Sequence, residues 1–169
     1  MIRFVREALS SFKQTGSIVP SSRALSRRIT ASINASPGPR RVLEVGAGTG
    51  SFSKAILAHL RPGDTFDAIE VNPVFCDHLL KEIIEPFQKA NPEISIRVLN
   101  DLVQEANLSG EYDHIVCGLP FNNFPLHIVR LIFRVMFSNL APNGHLSFFE
   151  YWGFRGGRYP VSGAATRRM

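Results

Sequence analysis

The sequence predicts an α/β fold, a doubly wound and mostly parallel sheet with helices on both faces. Three observations predict it. From Arg40 onward short apolar runs alternate with helical patterns, the connections between them are short, and a glycine-rich turn follows the first run at once. Parallel neighbours need a crossover, usually a helix, so this alternation calls for a parallel sheet covered on both sides. Ligands of such sheets bind beyond the carboxyl ends of the strands. The chemically suggestive residues of this chain fall at those ends.

Residues 2–14 read as a helix, with Ile2, Val5, Leu9 and Phe12 three and four apart, Phe4 and Ala8 widening the stripe, and Arg3, Arg6, Glu7, Ser10 and Lys13 interrupting it. "TGSIVPSS" breaks that helix, and Ser21 or Ser22 can cap a second one running through about Ala35. "SPGP" at 36–39 is a turn. "RVLEV" (41–45) reads as a buried strand, followed by glycines and the helix "SFSKAILAHL". "TFDAIEV" (65–71) is a second strand, with a helix through Gln88 after it. "ISIRVL" (94–99), "YDHIV" (112–116) and "HLSFFEYW" (145–152) are three more strands, and a helix near 125–139 separates the last two.

At 169 residues the chain is one domain by length, able to bury roughly 70% of its unfolded surface. A 44% hydrophobic and 20% charged composition places it among ordinary globular chains rather than disordered ones. No apolar run approaches the ~20 residues that span a bilayer, and Arg6, Glu7 and Lys13 interrupt any secretory core. An Arg- and Ser-rich start also permits a mitochondrial transit peptide. Cys76 and Cys117 are far apart and fit no metal spacing, which reads as buried thiols in a reducing cytosol. Among the histidines, His59, His78 and His127 fall on helices and His114 and His145 in or beside strands, with no metal-binding pair, so no metal is expected.

The net charge of +5 is unevenly placed. Residues 1–41 hold eight Arg or Lys against the single acid Glu7, residues 42–152 hold seven basic and thirteen acidic residues, and 153–169 add four arginines. A basic front on an acidic body suits an anionic surface, and charge alone does not choose between phospholipid and nucleic acid.

The site residues come strand by strand. In "LEVGAGTG" (43–50), Gly46, Gly48 and Gly50 let the backbone turn tightly and approach a ligand. Glu70 ends the second strand, where a carboxylate can accept both ribose hydroxyls of a nucleotide, and Asn72 follows closely. Asp101 follows the third strand, where a carboxylate can accept from the exocyclic amine of an adenine; Leu102 beside it joins the same set. A nicotinamide site is the rival, but its fingerprint is G-x-G-x-x-G, whereas this loop reads G-x-G-x-G with Glu44 just before it.

Glu44, the three glycines, Glu70 and Asp101 together resemble class I S-adenosylmethionine-dependent methyltransferases. The resemblance implies a Rossmann-like methyltransferase sheet, S-adenosyl-L-methionine as cofactor, and a role for Glu44 in ordering the loop and the methionine end of the cofactor. After the fourth strand, base methylases of this type carry Asn-Leu-Pro-Tyr or Asn-Leu-Pro-Phe; here "CGLPFNNFP" (117–125) puts Gly118 in the place of that asparagine. Pro120 lacks a backbone donor and fixes φ, so Leu119, Pro120 and Phe121 form a wall facing the transferred methyl. Gly118 offers only its carbonyl. A buried nucleobase amine left without its acceptor costs about 1–3 kcal/mol, so the loop favours an alkyl amine. Phe124 adds a cation-tolerant face, and Asn122 and Asn123 can bind a headgroup phosphate or cap the next helix.

A longer resemblance joins "FVREALSSFKQTGSIVPSSRALSRRI", "VLEVGAGTGSFSKAIL", "CGLPFNNFP" and "LSFFEYWG". Over about residues 1–155 the chain is similar to bacterial phosphatidylethanolamine N-methyltransferases. That implies an N-terminal helical segment (1–36) that docks on the membrane through residues 2–14 and closes over the cofactor with Ser21 and Ser22. It implies a methyltransferase domain at 37–152 and Tyr151 in the acceptor pocket. The partners implied are an anionic phospholipid surface and phosphatidylethanolamine itself, and the location is cytoplasmic, peripheral at the inner membrane face. The amine must attack in its neutral form, and burial among Phe121, Phe124 and Tyr151 lowers its pKa. Glu150 or a water can take the proton.

The family's sheet closes with two further strands in an antiparallel hairpin. "FRGGRYPVSGAATRRM" has no strand-length apolar run, so both final strands are expected to be missing, with 153–169 a flexible basic tail. The sheet edge would then be open to a partner or a second subunit. Two alternatives stand beside the lipid reading: an RNA (rRNA adenine-type) or protein methyltransferase, and a truncated, non-catalytic cofactor- or membrane-binding module.

Overall fold

The structure, a computed structural model, describes the backbone of residues 23–35, 37–108, 110–154 and 157–166, and side chains as far as residue 149 except at 35 and 123. The expected helix at 2–14, Ser21 and Ser22, and the side chains of Glu150 and Tyr151 lie outside the described residues.

The described chain opens with α1 (Arg23–Thr30), continued by a 3-10 segment Ala31–Ala35. It then alternates as expected: β1 (Arg41–Val45), α2 (Ser51–Leu57), β2 (Thr65–Ile69), α3 (Pro73–Leu79), a π turn (Leu80–Ile84), α4 (Glu85–Ala90), β3 (Ser95–Leu99), β4 (Tyr112–Cys117), α5 (Leu126–Ser138) and β5 (Leu140–Phe154). Asn72 caps α3 by accepting from the Val74 N–H at 3.0 Å, and Pro73 occupies the first turn, where its missing donor costs nothing. The π turn precedes Pro86, which has no N–H to offer the preceding turn. It places Ile83 and Ile84, adjacent in sequence, both in the core.

The strand order is β3-β2-β1-β4-β5-β6, parallel from β3 through β5. β1 is central and almost wholly buried, which explains its apolar Val42, Leu43 and Val45; Glu44 is the one charged residue buried among them. One face packs on α1, α2 and α3 through Ile29, Phe52, Ile56, Leu79 and Ile84. The other packs on α5 through Ile128, Ile132 and Met136. No described residue between β3 and β4 is helical, so β3 keeps Ser95 and Arg97 exposed.

The tail departs from expectation. Gly157–Thr166 forms a sixth strand, β6, antiparallel to β5 from His145↔Thr166 to Phe154↔Gly157. Two expectations are corrected: residues 153–169 are not a strand-free tail, and the β5 edge is not open. A strand is recognised in sequence by its side chains, but its pairing is made by backbone groups. The unpaired N–H and C=O row of β5 is satisfied by a Gly- and Ala-bearing segment with no apolar pattern. Among the described residues one strand, not two, follows β5.

Registers set the site. Val45 pairs with both Ile69 and Cys117, and Ile69 with Leu99, so four strands end at one level. The next residues, Gly46, Glu70, Asn100 and Gly118, therefore form a row along the carboxyl rim. β1 and β4 flank the point where the strand order reverses, the place where such sheets open a crevice.

Candidate functional site

The row is stitched by backbone hydrogen bonds that cross from strand to strand. Gly46 and Ala47 N–H donate to the Ile69 carbonyl at 2.9 and 3.0 Å, Glu70 N–H to Leu99 at 3.0 Å, and Gly118 N–H to Val45 at 2.8 Å. Beyond them lies a cavity lined by Gly46, Glu70, Asp101, Leu102, Leu119 and Phe124, with Val103, Gln104 and Ile132 completing its wall.

Glu70 organises the mouth. One carboxylate oxygen accepts from Gly48 N–H at 2.8 Å and the other from Asn72 N–H at 2.8 Å. A carboxylate offers about four acceptor positions, so lone pairs remain for a vicinal diol. Its main chain is held too: the Glu70 carbonyl accepts from the Asn100 amide at 2.9 Å and the Cys76 thiol at 3.1 Å. Neither Asn100 nor Cys76 was singled out for this site from sequence, because their role is to hold a neighbour's backbone. Asn72 is near the mouth, but its side-chain oxygen is engaged as the cap of α3.

Glu44 lies behind the loop, fully buried. Its Oε2 accepts from the Ser53 hydroxyl at 2.6 Å, while Oε1 has no partner among the described residues. Burial pushes its pKa up to about 7; the Ser53 hydrogen bond works against that and the charge of Glu70 adds to it. Ser53, nine residues on in sequence, is a further residue that spacing did not reveal.

The three glycines divide their labour. A Cβ on Gly48, at φ +56°, would meet nothing within 4 Å, so this position faces open space. A Cβ on Gly50 would stand 2.3 Å from Ile83 Cδ1, so Gly50 serves the packing of α2 against the helical run after β2. Gly46 lies under Leu119, whose Cδ2 occupies the place of a Cβ there.

The acceptor loop also divides. Leu119 and Phe124 line the cavity. Phe121, only 4% exposed, is turned into the core, with its ring 4.8 Å from Phe133 and 6.1 Å from Phe148. Pro120 leads into a 3-10 turn at Phe121–Asn123. The Tyr151 backbone pairs with Pro160, three residues past the level of Cys117 and Phe148.

The buried groups of β4 offer no base ready at neutral pH: Cys117 stays protonated and His114 binds a proton too weakly. Burial pushes the Cys117 thiol up to about 12, and burial with the neighbouring His145 lowers His114 to about 4. His114 stacks on His145 at 5.6 Å, three residues before the end of β4.

Residues 43–146 match the methyltransferase domain family, spanning most of the sheet and every rim residue above. The chain belongs to that family. This methyltransferase domain is 35% identical over 134 residues to an ornithine lipid N-methyltransferase of Singulisphaera acidiphila, covering 76% of the chain and 66% of that protein. It superposes with a TM-score of 0.66 and 18% identity on the Burkholderia thailandensis 1,6-didemethyltoxoflavin N1-methyltransferase, over 99% of the chain and 73% of that structure. A glycopeptide N-methyltransferase gives 0.62 and 15% identity, over 80% of the chain and 56% of that structure. These two likenesses establish the Rossmann-like methyltransferase fold. The methyltransferase domain thus spans about two thirds of its lipid-modifying relative and little more than half of the glycopeptide enzyme. None of its described helices is long and apolar enough to cross a membrane.

Proposed function

We propose that this chain binds S-adenosylmethionine along the carboxyl rim of β1–β3 and transfers its methyl group to the amine of a lipid, phosphatidylethanolamine, at an anionic membrane surface. The observation that carries the cofactor is Glu70, pinned by two backbone N–H groups beside an open glycine cradle. The residues fit the group. Glu70 would take the ribose hydroxyls, Asp101 and Leu102 the adenine end, and Glu44, with a buried acceptor still unmatched, the methionine end. Gly48 leaves the loop bare of a side chain where the cofactor would pass, and Ser21 and Ser22 would close over it.

The cofactor supplies an electrophilic methyl carbon on a sulfonium. The chain's contribution is placement. Leu119 and Phe124 form an apolar wall, Gly118 would present its carbonyl toward the amine, and Pro120 fixes φ ahead of the 3-10 turn. An alkyl ammonium has a pKa near about 10.4 and must lose a proton before it attacks. An apolar pocket that excludes water favours the neutral amine, and Tyr151 would complete that pocket. Alignment alone supplies much of the rate, which agrees with a site whose buried thiol stays protonated and whose buried histidine is too weak a base to help.

The lipid acceptor is supported by the relative that acts on ornithine lipid, since that lipid and phosphatidylethanolamine both carry an aliphatic amine. The membrane surface is supported by the basic, acid-poor segment 1–41, through residues 2–14. On this reading the protein works peripherally, at the cytoplasmic face of the inner membrane.

Labelled S-adenosylmethionine, incubated with the chain and anionic vesicles containing phosphatidylethanolamine, tests the reading. Label in the lipid amine is the expected result. Label only with ornithine lipid vesicles would move the acceptor, and label in RNA but not in lipid would overturn the lipid class. Cofactor binding without transfer to any of these would favour a binding module. Deleting residues 1–14 should abolish vesicle co-sedimentation.

A further inference from the structure

We propose that Gly118 is a positioning residue for the cofactor: its missing side chain sets how closely the loops after β4 and β1 lie, and so keeps Gly48 on Glu70. This rests on the cofactor site proposed above. It also moves the meaning of the glycine, from choosing an acceptor to holding the cofactor loop.

Gly118 cannot retreat, because its N–H is tied to the Val45 carbonyl at 2.8 Å. A Cβ on it would stand 2.7 Å from the Gly46 carbonyl oxygen and 3.4 Å from the ring of Phe52, which is itself buried. The closer obstacle is backbone, so no rotamer change can relieve it. Gly46 is held in turn. Its N–H and that of Ala47 both bond to the Ile69 carbonyl, and Leu119 fills the space above its Cα, within 2.5 Å of where a Cβ would be. The two loops interlock, backbone on backbone at 118 and 46, side chain on backbone at 119 and 46. A methyl group at 118 must push Gly46 outward, and Gly48, two residues on, must leave the Glu70 carboxylate it bonds at 2.8 Å. An asparagine cannot be seated here while the loops keep this spacing.

The test uses Gly118→Ala and Gly118→Asn in the full chain, after S-adenosylmethionine binding to the unaltered protein has been measured by calorimetry. An unaltered protein that fails to bind refutes the cofactor site itself, separately from this proposal. Both variants are expected to raise the cofactor Kd about tenfold to a hundredfold, the range of one lost charged hydrogen bond, with Asn within a few-fold of Ala because the clash begins at Cβ. The KM for the lipid acceptor should rise by a smaller factor than the cofactor Kd. A cofactor Kd within about twofold of the unaltered protein for Gly118→Ala overturns the proposal. So does a rise confined to the acceptor KM, or one equal for both ligands. Circular dichroism reports folding. If Gly118→Ala does not fold, Phe52→Leu/Gly118→Ala is compared with Phe52→Leu, which leaves the Gly46 contact alone. Equal cofactor Kd values for that pair would sink the idea.

Discussion

Ser53 donates its hydroxyl to Glu44 at 2.6 Å, and neither residue is exposed to solvent. The pair joins the end of β1 to the first turn of α2 beneath the glycine loop. Because burial raises the Glu44 pKa from 4.5 to about 7, the folded chain binds an extra proton across that interval. Stability therefore falls as pH rises from 4.5 to about 7 and levels off above it, a total on the order of 3 kcal/mol. Glu44→Gln should remove this slope. Urea unfolding at about pH 5 and about pH 8 should show the variant gaining on the unaltered protein at the higher pH; parallel curves would contradict it.

Glu70 is predicted to resist conservative replacement. Each oxygen faces a backbone N–H, so the NH2 of a glutamine would be set against either Gly48 or Asn72. Glu70→Gln and Glu70→Ala should each weaken S-adenosylmethionine binding by about tenfold to a hundredfold, read by titration calorimetry. A glutamine variant with unchanged affinity would mean that the loop is not held through Glu70.

At the opposite end of the sheet, Arg40 and Asp64 are both fully buried and paired. Arg40 also donates to the His59 carbonyl at 2.6 Å, and Asp64 accepts from the N–H of Arg40 and Arg61 at 2.7 and 2.8 Å. Burial raises the Asp64 pKa, but the Arg40 side chain and these N–H groups outweigh it and the net shift is downward. Asp64→Ala strands a buried guanidinium and should cost about 3–5 kcal/mol in chemical unfolding. Cofactor affinity measured well below the unfolding transition should be unaffected, since the pair is a full strand from the rim.

Phe121→Ala should destabilise the fold by about 3–5 kcal/mol, because the ring is packed between Phe133 and Phe148. Phe124→Ala should instead act on ligand binding, since Phe124 lines the cavity. Thermal unfolding and calorimetry on the two variants separate the roles. The reverse pattern would restore Phe121 to the acceptor wall.

Much of this was legible in the chain. β1 was read to the residue, because a central strand buried on both faces is mostly apolar, here Val42, Leu43 and Val45, and is bracketed by arginine and glycine. Glu70, Asp101, Leu102 and Leu119 were placed at one mouth from their positions after strand patterns, and the registers bring them there. What depends on contacts between distant segments was not legible. Ser53, Asn100 and Cys76 act by reaching a neighbour's carboxylate or carbonyl, and nothing in their own spacing announces that. β6 was missed because its partner is the backbone of β5 and its side chains carry no apolar rhythm.

By itself the sequence determined the order of strands and helices through β5, the rim on which the chemistry lies and the residue types offered there, because periodicity and turn residues are local properties. The tertiary structure decided which offers are taken up. It turned Phe121 inward and gave the Asn72 side chain to a helix cap. It set Gly118 against Gly46, where the ladder to Val45 and the bond from Gly46 to Ile69 leave no room for a Cβ. The glycine that reads in sequence as a missing side chain is, in the folded chain, a distance between two backbones.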